Sequence, residues 1–218
     1  MRGEAASVVV RWSPEKHSFV AQGRRRRMRS FLVSAEGRKV LRRGRPTRRG
    51  PDTVAALFAE PVMGAGGVII PPKNYFAKIR AVLEKYDVLL VADEVICGFG
   101  RTGNMWGSQT MDVRPDMLTC AKALSSAYLP ISAVMMSDKV YAPLAEQAER
   151  LGIFGHGYTY SAHPVCAAVA LRAQQLMQER DIVGHVRGLA PAFAAHVAAM
   201  DRYDFIGNVR SIGLIGAM

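Results

Sequence analysis

The sequence predicts an α/β fold with a mostly parallel sheet, because apolar strands alternate with amphipathic helices from about residue 50 onward. Two apolar runs, residues 53–60 and 88–92, flank the segment "KNYFAKIRAVLEKY", in which apolar side chains recur at helical spacing. A strand, a crossover helix and a second strand form the repeating unit of a parallel sheet. The same alternation of strand and helix continues toward the C-terminus.

Each element has its own signal. The first strand ends at Glu60-Pro61 and is followed by a glycine-rich loop, "VMGAGGVIIPP". Short runs rich in apolar residues predict the later strands, and Pro164 stands where a long helix should begin, since proline is favoured in the first turn. The predicted strands are 53–60, 88–92, 116–121 and 131–137, and the predicted helices are 73–86, 138–150 and 164–179.

Composition excludes several classes of protein. The chain has 218 residues, of which 50% are hydrophobic, so a sizeable core is possible. No stretch of about eighteen uncharged apolar residues indicates a transmembrane helix, and no apolar segment near Met1 indicates a secretory signal. The three cysteines are far apart and form no CxxC motif, so we expect neither a metal site nor a disulfide framework. Reduced thiols indicate a cytoplasmic protein.

Charge divides the chain into unlike parts. The net charge is +11, but residues 1–50 alone hold 15 Lys and Arg against 3 Asp and Glu, so the remainder is nearly neutral. Runs such as "GRRRRMRS" are usually solvated, and we expect residues 1–49 to be disordered or not native to the domain. A nucleic-acid-binding arm is a less favoured interpretation. We expect residues 50–180 to form part of a large domain and residues 181–218 to begin a small α+β C-terminal domain.

Three charged residues follow directly after predicted strands, namely Glu60, Asp93 and Lys122. Ligands of open α/β sheets bind beyond the carboxyl ends of the strands, so we expect these side chains to converge on one crevice. A partly buried ion pair would explain Asp93 and Lys122 without any ligand. However, Lys122 stands in "TCAKALSSAYLP", where desolvation would leave a neutral amine able to attack a carbonyl. A carboxylate and such a lysine fit the ring nitrogen and the aldehyde of pyridoxal phosphate.

Four sequence motifs resemble those of a known protein family. Glu60-Pro61, "VADEVICGFGRTG", "PDMLTCAKALSSAYLPISAV" and "FGHGYTYSAHPVCAAVAL" occur in the order and spacing of the class III, pyridoxal-phosphate-dependent aminotransferases, the omega-transaminase group. The chain resembles that family from about residue 50 to its end. The resemblance implies transferase fold type I, a homodimer with composite active sites, and amino-group transfer from an amine or ω-amino acid to a keto acid, with pyruvate as the expected acceptor.

The resemblance also implies residue roles. Lys122 matches the lysine that holds the cofactor and moves the proton, and Asp93 matches the acid that pairs with the ring nitrogen. Val95 matches the side chain packed on the ring, and strand alternation would place it on the same side as Asp93. Thr159 matches a threonine that reaches the phosphate of the partner subunit's cofactor. Glu60 matches an acid near the substrate.

The chain also departs from the family pattern. Residues 1–49 contain no Gly/Ser loop that would grip the cofactor phosphate, and the carboxylate-binding arginine of the family has no counterpart before Met218. The chain therefore resembles a fragment, and we expect weak cofactor binding and little activity from it alone. Two alternatives remain open: an aminomutase or racemase of the same fold, or an inactive fragment with a nucleic-acid-binding arm. No membrane partner is expected.

Overall fold

The computed structural model describes residues 54–218 in full and, before them, the backbone of five short strands. The rest of residues 1–53 lies outside the described residues, and so does the expectation that residues 1–49 are disordered or non-native. The chain divides into two compact units, the first made of Met1–Ala59 with Asn74–Val91 and the second of Glu60–Lys73 with Ala92–Met218. The five strands are β1 (Val9–Ser13), β2 (Ser18–Gln22), β3 (Phe31–Val33), β4 (Val40–Arg42) and β5 (Arg45–Pro46).

The first unit contains the predicted strand–helix–strand segment. Strand β6 (Ala56–Ala59) is followed by helix α1 (Tyr75–Lys85) and strand β7 (Leu89–Asp93), and the strand order is β2–β1–β6–β7. Strand β1 is parallel to β6 and antiparallel to β2. Helix α1 buries Phe76 and Leu83, which lie on one face because seven residues are close to two helical turns.

The second unit holds the end of β7 and everything that follows it. The strand order continues from β7 to β8 (Met117–Cys120) and β9 (Ala133–Met136), and β9 is antiparallel to β8. Helices α2 to α5 and a C-terminal hairpin complete this unit. The remaining elements are α2 (Gly107–Thr110), α3 (Asp138–Leu151), α4 (Pro164–Glu179), α5 (Ile182–Ala198), β10 (Arg210–Ile212) and β11 (Ile215–Ala217), with 3₁₀ turns at Lys122–Leu124 and Ala199–Arg202.

Two apolar clusters lie in the second unit. One contains the buried residues Val62, Val68, Cys97 and Ile215. This cluster joins the glycine-rich loop to the C-terminal hairpin. The other contains Phe99, Leu118 and Cys120, and the Phe99 ring meets the Trp106 ring edge to face at 4.9 Å. Both clusters therefore fix the loop that follows β7.

The predicted α/β class with a mostly parallel sheet is confirmed, and every predicted helix and strand after residue 50 has an observed counterpart. Helix α5 and strands β10 and β11 fall within residues 181–218, for which no individual elements were predicted. The domain boundaries placed after residues 49 and 180 stay a prediction. Among the described residues, no helix is long and apolar enough to cross a membrane.

Candidate active site

Three charged side chains stand at or just beyond the ends of neighbouring strands. Glu60 follows β6, Asp93 is the last residue of β7, and Lys122 follows β8 by two residues. All three belong to the second unit. Burial is the main cause that raises the pKa of the Glu60 carboxyl; the charge of Asp93 raises it and that of Lys122 lowers it by smaller amounts, so both charges lie within electrostatic range of Glu60. The structure thus brings these three predicted residues together.

Glu60 is half-buried, and its own loop supplies its hydrogen bond. The backbone N–H of Gly64 donates to Oε2 of Glu60 at 2.8 Å. Loss of solvent is the main cause that raises the pKa of Glu60 above its usual value, and the Gly64 bond is the largest opposing effect. The glycine-rich loop therefore stabilises the charged form of a carboxylate that burial disfavours.

Asp93 makes a local turn in which Val95 takes part. The backbone N–H of Val95 donates to Oδ1 of Asp93 at 3.1 Å, which is the geometry of an aspartate that caps its own turn. Strand β7 ends at Asp93, and Val95 already lies in the turn. The sequence argument that placed Val95 by strand alternation is therefore wrong, because the carboxylate bonds to the following backbone and ends the strand. The proximity of Val95 to Asp93 has a different cause, the turn itself.

The neighbouring Glu94 is the buried anchor of this loop, and the sequence did not single it out. Its side chain is 0% exposed. The N–H of Gly107 donates to Oε2 at 2.8 Å and the N–H of Ser108 donates to Oε1 at 2.7 Å, so both oxygens are used at the start of α2. A Cβ on Gly107 would lie 2.5 Å from Cβ of Cys97 and 3.1 Å from Oε2 of Glu94. Only glycine allows the backbone to approach the carboxylate this closely.

Lys122 stands on a strained backbone. Its φ of +47° lies in the left-handed region, which costs an L-residue about 1 kcal/mol or more. The surrounding structure holds it there. The Nε2 amide group of Gln174 in α4 donates to the carbonyls of Ala123 at 3.2 Å and Leu124 at 2.8 Å. The sequence did not indicate Gln174, because its role depends on a contact about fifty residues away in the chain.

The surroundings of Lys122 differ from those expected. The sequence suggested an apolar, desolvated lysine, whereas the side chain is exposed in the described structure. The small and apolar neighbours did not lead to burial, because Lys122 begins a 3₁₀ turn in which no residue is buried. The expected desolvation of Lys122 is therefore not observed in a single chain.

Thr159 lies in the segment that joins α3 to α4. It is exposed, and it begins a turn in which the Tyr158 N–H donates to Oγ of Ser161 and the Ser161 N–H donates to the Tyr158 carbonyl, both at 2.9 Å. Within residues 54–218 the structure shows no hydrogen bond from Thr159 to Glu60, Asp93 or Lys122. The predicted contact of Thr159 is with the cofactor phosphate of a partner subunit, so it stays a prediction.

Neither a reactive thiol at Cys97 nor a metal-binding group is observed among the described residues. The Cys97 side chain is fully buried, and its thiol donates to the carbonyl of Val62 at 3.3 Å. Burial raises the pKa of Cys97 to about 12, so the thiol stays protonated at neutral pH and is a poor nucleophile. In the part of the chain that the structure describes, no group of three or more His, Cys, Asp or Glu side chains could hold a metal ion.

A mostly parallel sheet flanked by helices, with a carboxylate at the end of one strand and a lysine just beyond the next, agrees with the pyridoxal-phosphate-dependent fold type I. Residues 30–218 match the family described as Aminotransferase class-III, and the chain belongs to this family. The match begins inside the basic segment. Pyridoxal phosphate is the cofactor of these enzymes, so the predicted family, fold and cofactor are confirmed.

The curated relatives are transaminases. The chain is 52% identical over 168 residues to a probable gamma-aminobutyrate transaminase 3 of mitochondria from Oryza sativa subsp. indica, covering 77% of this chain and 33% of the relative. It is 49% identical to the chloroplastic gamma-aminobutyrate transaminase 3 of Solanum lycopersicum, of which it covers 32%. The chain thus spans about a third of the length of these relatives.

Solved structures agree with this assignment. A transaminase with L-alanine superposes with a TM-score of 0.74 at 52% identity, covering 77% of this chain and 39% of that one. The omega transaminase from Pseudomonas jessenii in complex with PMP gives the same TM-score at 46% identity, with coverage of 77% and 37%. At these identities the likeness extends from fold to family.

The predicted cellular location is wrong. The sequence was interpreted as that of a cytoplasmic protein because its thiols lack disulfide spacing, whereas the curated relatives are mitochondrial or chloroplastic enzymes. Reduced cysteines are equally compatible with these organelles, so cysteine usage did not carry the information that the prediction required.

Proposed function

We propose that this chain carries the catalytic centre of an aminotransferase that moves an amino group from an amine or ω-amino acid to a keto acid. The observation that carries the proposal is the placement of Glu60, Asp93 and Lys122 at or just beyond the ends of neighbouring strands, where the charges of Asp93 and Lys122 both lie within electrostatic range of the Glu60 carboxyl. A structural ion pair needs only one acid and one base. A second acid, held by its own loop, indicates a site with a substrate side.

The donor set fits pyridoxal phosphate. Lys122 offers a primary amine for the aldehyde, and its side chain is exposed and therefore accessible. Asp93 uses Oδ1 for the Val95 N–H, which leaves Oδ2 to accept from a protonated ring nitrogen. Val95, half-buried beside Asp93, would pack on the ring. Thr159 would reach the phosphate of the cofactor in a second copy of the chain.

When bound, the cofactor supplies an electron sink that stabilises negative charge on the carbon bearing the amino group. Asp93 would be the residue that pairs with the ring nitrogen, and its negative charge would favour the protonated ring. Lys122 would hold the cofactor through its primary amine, and once an amine substrate had displaced it, that amine would be the base that moves the proton. Glu60, the second carboxylate of the group, would lie near the substrate.

Relatives support the substrate class. The curated relatives are gamma-aminobutyrate transaminases, which supports an ω-amino acid as donor, and a similar solved transaminase was obtained with L-alanine. Alanine is the amino acid that pyruvate becomes when it accepts an amino group, so we propose pyruvate as the acceptor. The two half-reactions would follow one another at the same lysine.

An exposed apolar segment supports assembly with a second copy. Tyr158 and Tyr160 flank Thr159 and are 77% and 82% exposed, and Ile153 and Phe154 are also exposed. A soluble protein seldom leaves so many large apolar side chains in water unless a partner covers them. A homodimer would bury this segment and would bring Thr159 to the partner's site.

The test is chemical trapping of the cofactor. The chain is mixed with pyridoxal phosphate, reduced with borohydride and mapped by mass spectrometry. We expect label at Lys122 at a cofactor concentration about tenfold lower than at the exposed Lys73 and Lys85, since an ionic bond to Asp93 adds about 1.4 kcal/mol. An amine donor added before reduction should remove the Lys122 label, because the aminated cofactor leaves the lysine. Equal labelling of all three lysines would refute the proposal.

A further inference from the structure

Arg210, the first residue of β10, binds the glycine-rich loop that follows Pro61. Its Nε donates to the carbonyl of Gly67 at 2.7 Å and to that of Val68 at 3.1 Å, and its Nη2 also donates to Gly67. Its Nη1 donates to Oδ1 of Asn208 at 2.7 Å. One guanidinium thus joins residues that are more than 140 positions apart in the chain.

The loop that Arg210 holds is the one that contacts Glu60. The backbone N–H groups of Gly67 and Val68 donate to the Gly64 carbonyl at 3.1 and 3.0 Å. Gly64 and the two residues whose carbonyls bind Arg210 therefore belong to one turn. Gly64, whose carbonyl accepts these two bonds, donates its own N–H to Oε2 of Glu60. A displacement of Gly67 and Val68 would therefore move the donor on Glu60.

We propose that Arg210 is a positioning residue for Glu60, because it fixes the glycine-rich loop so that the Gly64 N–H stays on the Glu60 carboxylate. This inference rests on the proposed function for the relevance of Glu60 to the reaction. The connection itself rests on hydrogen bonds within the second unit alone. It assigns a role to the C-terminal hairpin, which contributes no group to the site directly.

The chemistry of arginine suits this role. A planar guanidinium presents several donors in a fixed fork and can bind two carbonyls and an amide oxygen together, which a lysine ammonium cannot do with the same geometry. The loop also needs its glycines where it turns. Gly67 has a φ of +112°, and a Cβ on Gly64 would lie 2.5 Å from Cδ1 of Ile96.

Loss of Arg210 should change the pKa of the Glu60 carboxyl. The groups that face this carboxyl are Asp93, Lys122 and the Cys97 thiol, besides the Gly64 N–H. Burial raises the pKa of Glu60, and the Gly64 bond lowers it. Once Arg210 releases the loop, the lowering effect weakens while burial and the charge of Asp93 remain, so the pKa should rise further.

The experiment is an NMR titration of the full chain without cofactor. The pH dependence of the Gly64 amide shift and of the Glu60 carboxyl carbon reports the Glu60 pKa. We expect Arg210→Gln to raise that pKa by about one to two units, the effect of losing a hydrogen bond to a charged group. Arg172→Gln is the matched control, since Arg172 binds the exposed Glu179 at 2.6 Å. It should leave the Glu60 pKa unchanged.

A second variant decides the matter if Arg210→Gln does not fold. Arg210→Lys keeps the charge but loses the fork, and it should shift the pKa in the same direction by a smaller amount. An unchanged Glu60 pKa in a folded Arg210 variant would overturn the proposal, because a merely structural arginine would change stability alone. Since no cofactor is used, a failed trapping experiment at Lys122 would refute the proposed function and leave this result standing.

Discussion

Replacement of the buried Glu94 by glutamine should strongly destabilise the second unit. Both carboxylate oxygens accept backbone N–H groups, at 2.8 Å from Gly107 and 2.7 Å from Ser108. Glu94→Gln keeps one acceptor and turns an NH₂ group toward the other N–H, so two donors face each other. A hydrogen bond to a charged group is worth about 1.5–3 kcal/mol, and an unsatisfied buried donor costs about 1–3 kcal/mol. We expect a loss of about 3 kcal/mol after partial relaxation.

Urea unfolding measures this effect. A loss of this size is a large fraction of the free energy of unfolding of a typical domain, about 5–15 kcal/mol, and it should lower the urea midpoint clearly. Glu179→Gln is the control, because it makes the same chemical change in the same unit at an exposed residue paired with Arg172. Its midpoint should stay near that of the wild type. Equal midpoints for both variants would refute the role of Glu94 as the anchor of the loop.

Two further predictions concern packing and pH. Gly107→Ala places a Cβ 2.5 Å from Cβ of Cys97 and should lower the free energy of unfolding by about 1–3 kcal/mol. Gly188→Ala in α5 meets nothing within 4 Å and should raise that free energy by about 0.5–1 kcal/mol. Thermal unfolding of the two variants compares these effects. For Glu60, burial raises the folded-state pKa, so the folded state binds more protons and stability falls as pH rises from about 4.5 through that pKa. Glu60→Gln should therefore be more stable than the wild type at pH 7, with the difference vanishing below about pH 4.5; equal stability at pH 7 would contradict this.

The strand ends were predictable from the sequence, and the supports of the site were not. A run such as "VLLVA" shows where a buried strand stops, so the position of Asp93 followed from local periodicity and the rule that ligands bind at carboxyl ends. The contacts of Glu94, Gln174 and Arg210 bridge residues that are distant in the chain. Hydrophobic period carries no information on which carbonyl or amide a polar side chain will meet.

The conformation around Lys122 shows a second limit. Small and apolar neighbours in "TCAKALSSAYLP" predicted burial, yet the chain forms a 3₁₀ turn with left-handed residues, and the side chain is exposed. Left-handed backbone at a non-glycine residue is imposed by tertiary contacts, here the Gln174 amide on two carbonyls of the turn. Local propensity disfavours this conformation, so no sequence rule would have proposed it.

The most direct test of the account concerns the ring nitrogen of the cofactor. Pyridoxal phosphate labelled with ¹⁵N at the ring is bound to the chain and observed by NMR, in the wild type and in Asp93→Asn, with Lys122→Ala to identify unbound signal. We predict a protonated ring nitrogen in the wild type at neutral pH and an unprotonated one in Asp93→Asn, because the carboxylate at the end of β7 stabilises the positive charge. The same ring-nitrogen shift in both proteins would contradict the central claim that Asp93 and Lys122 hold one cofactor.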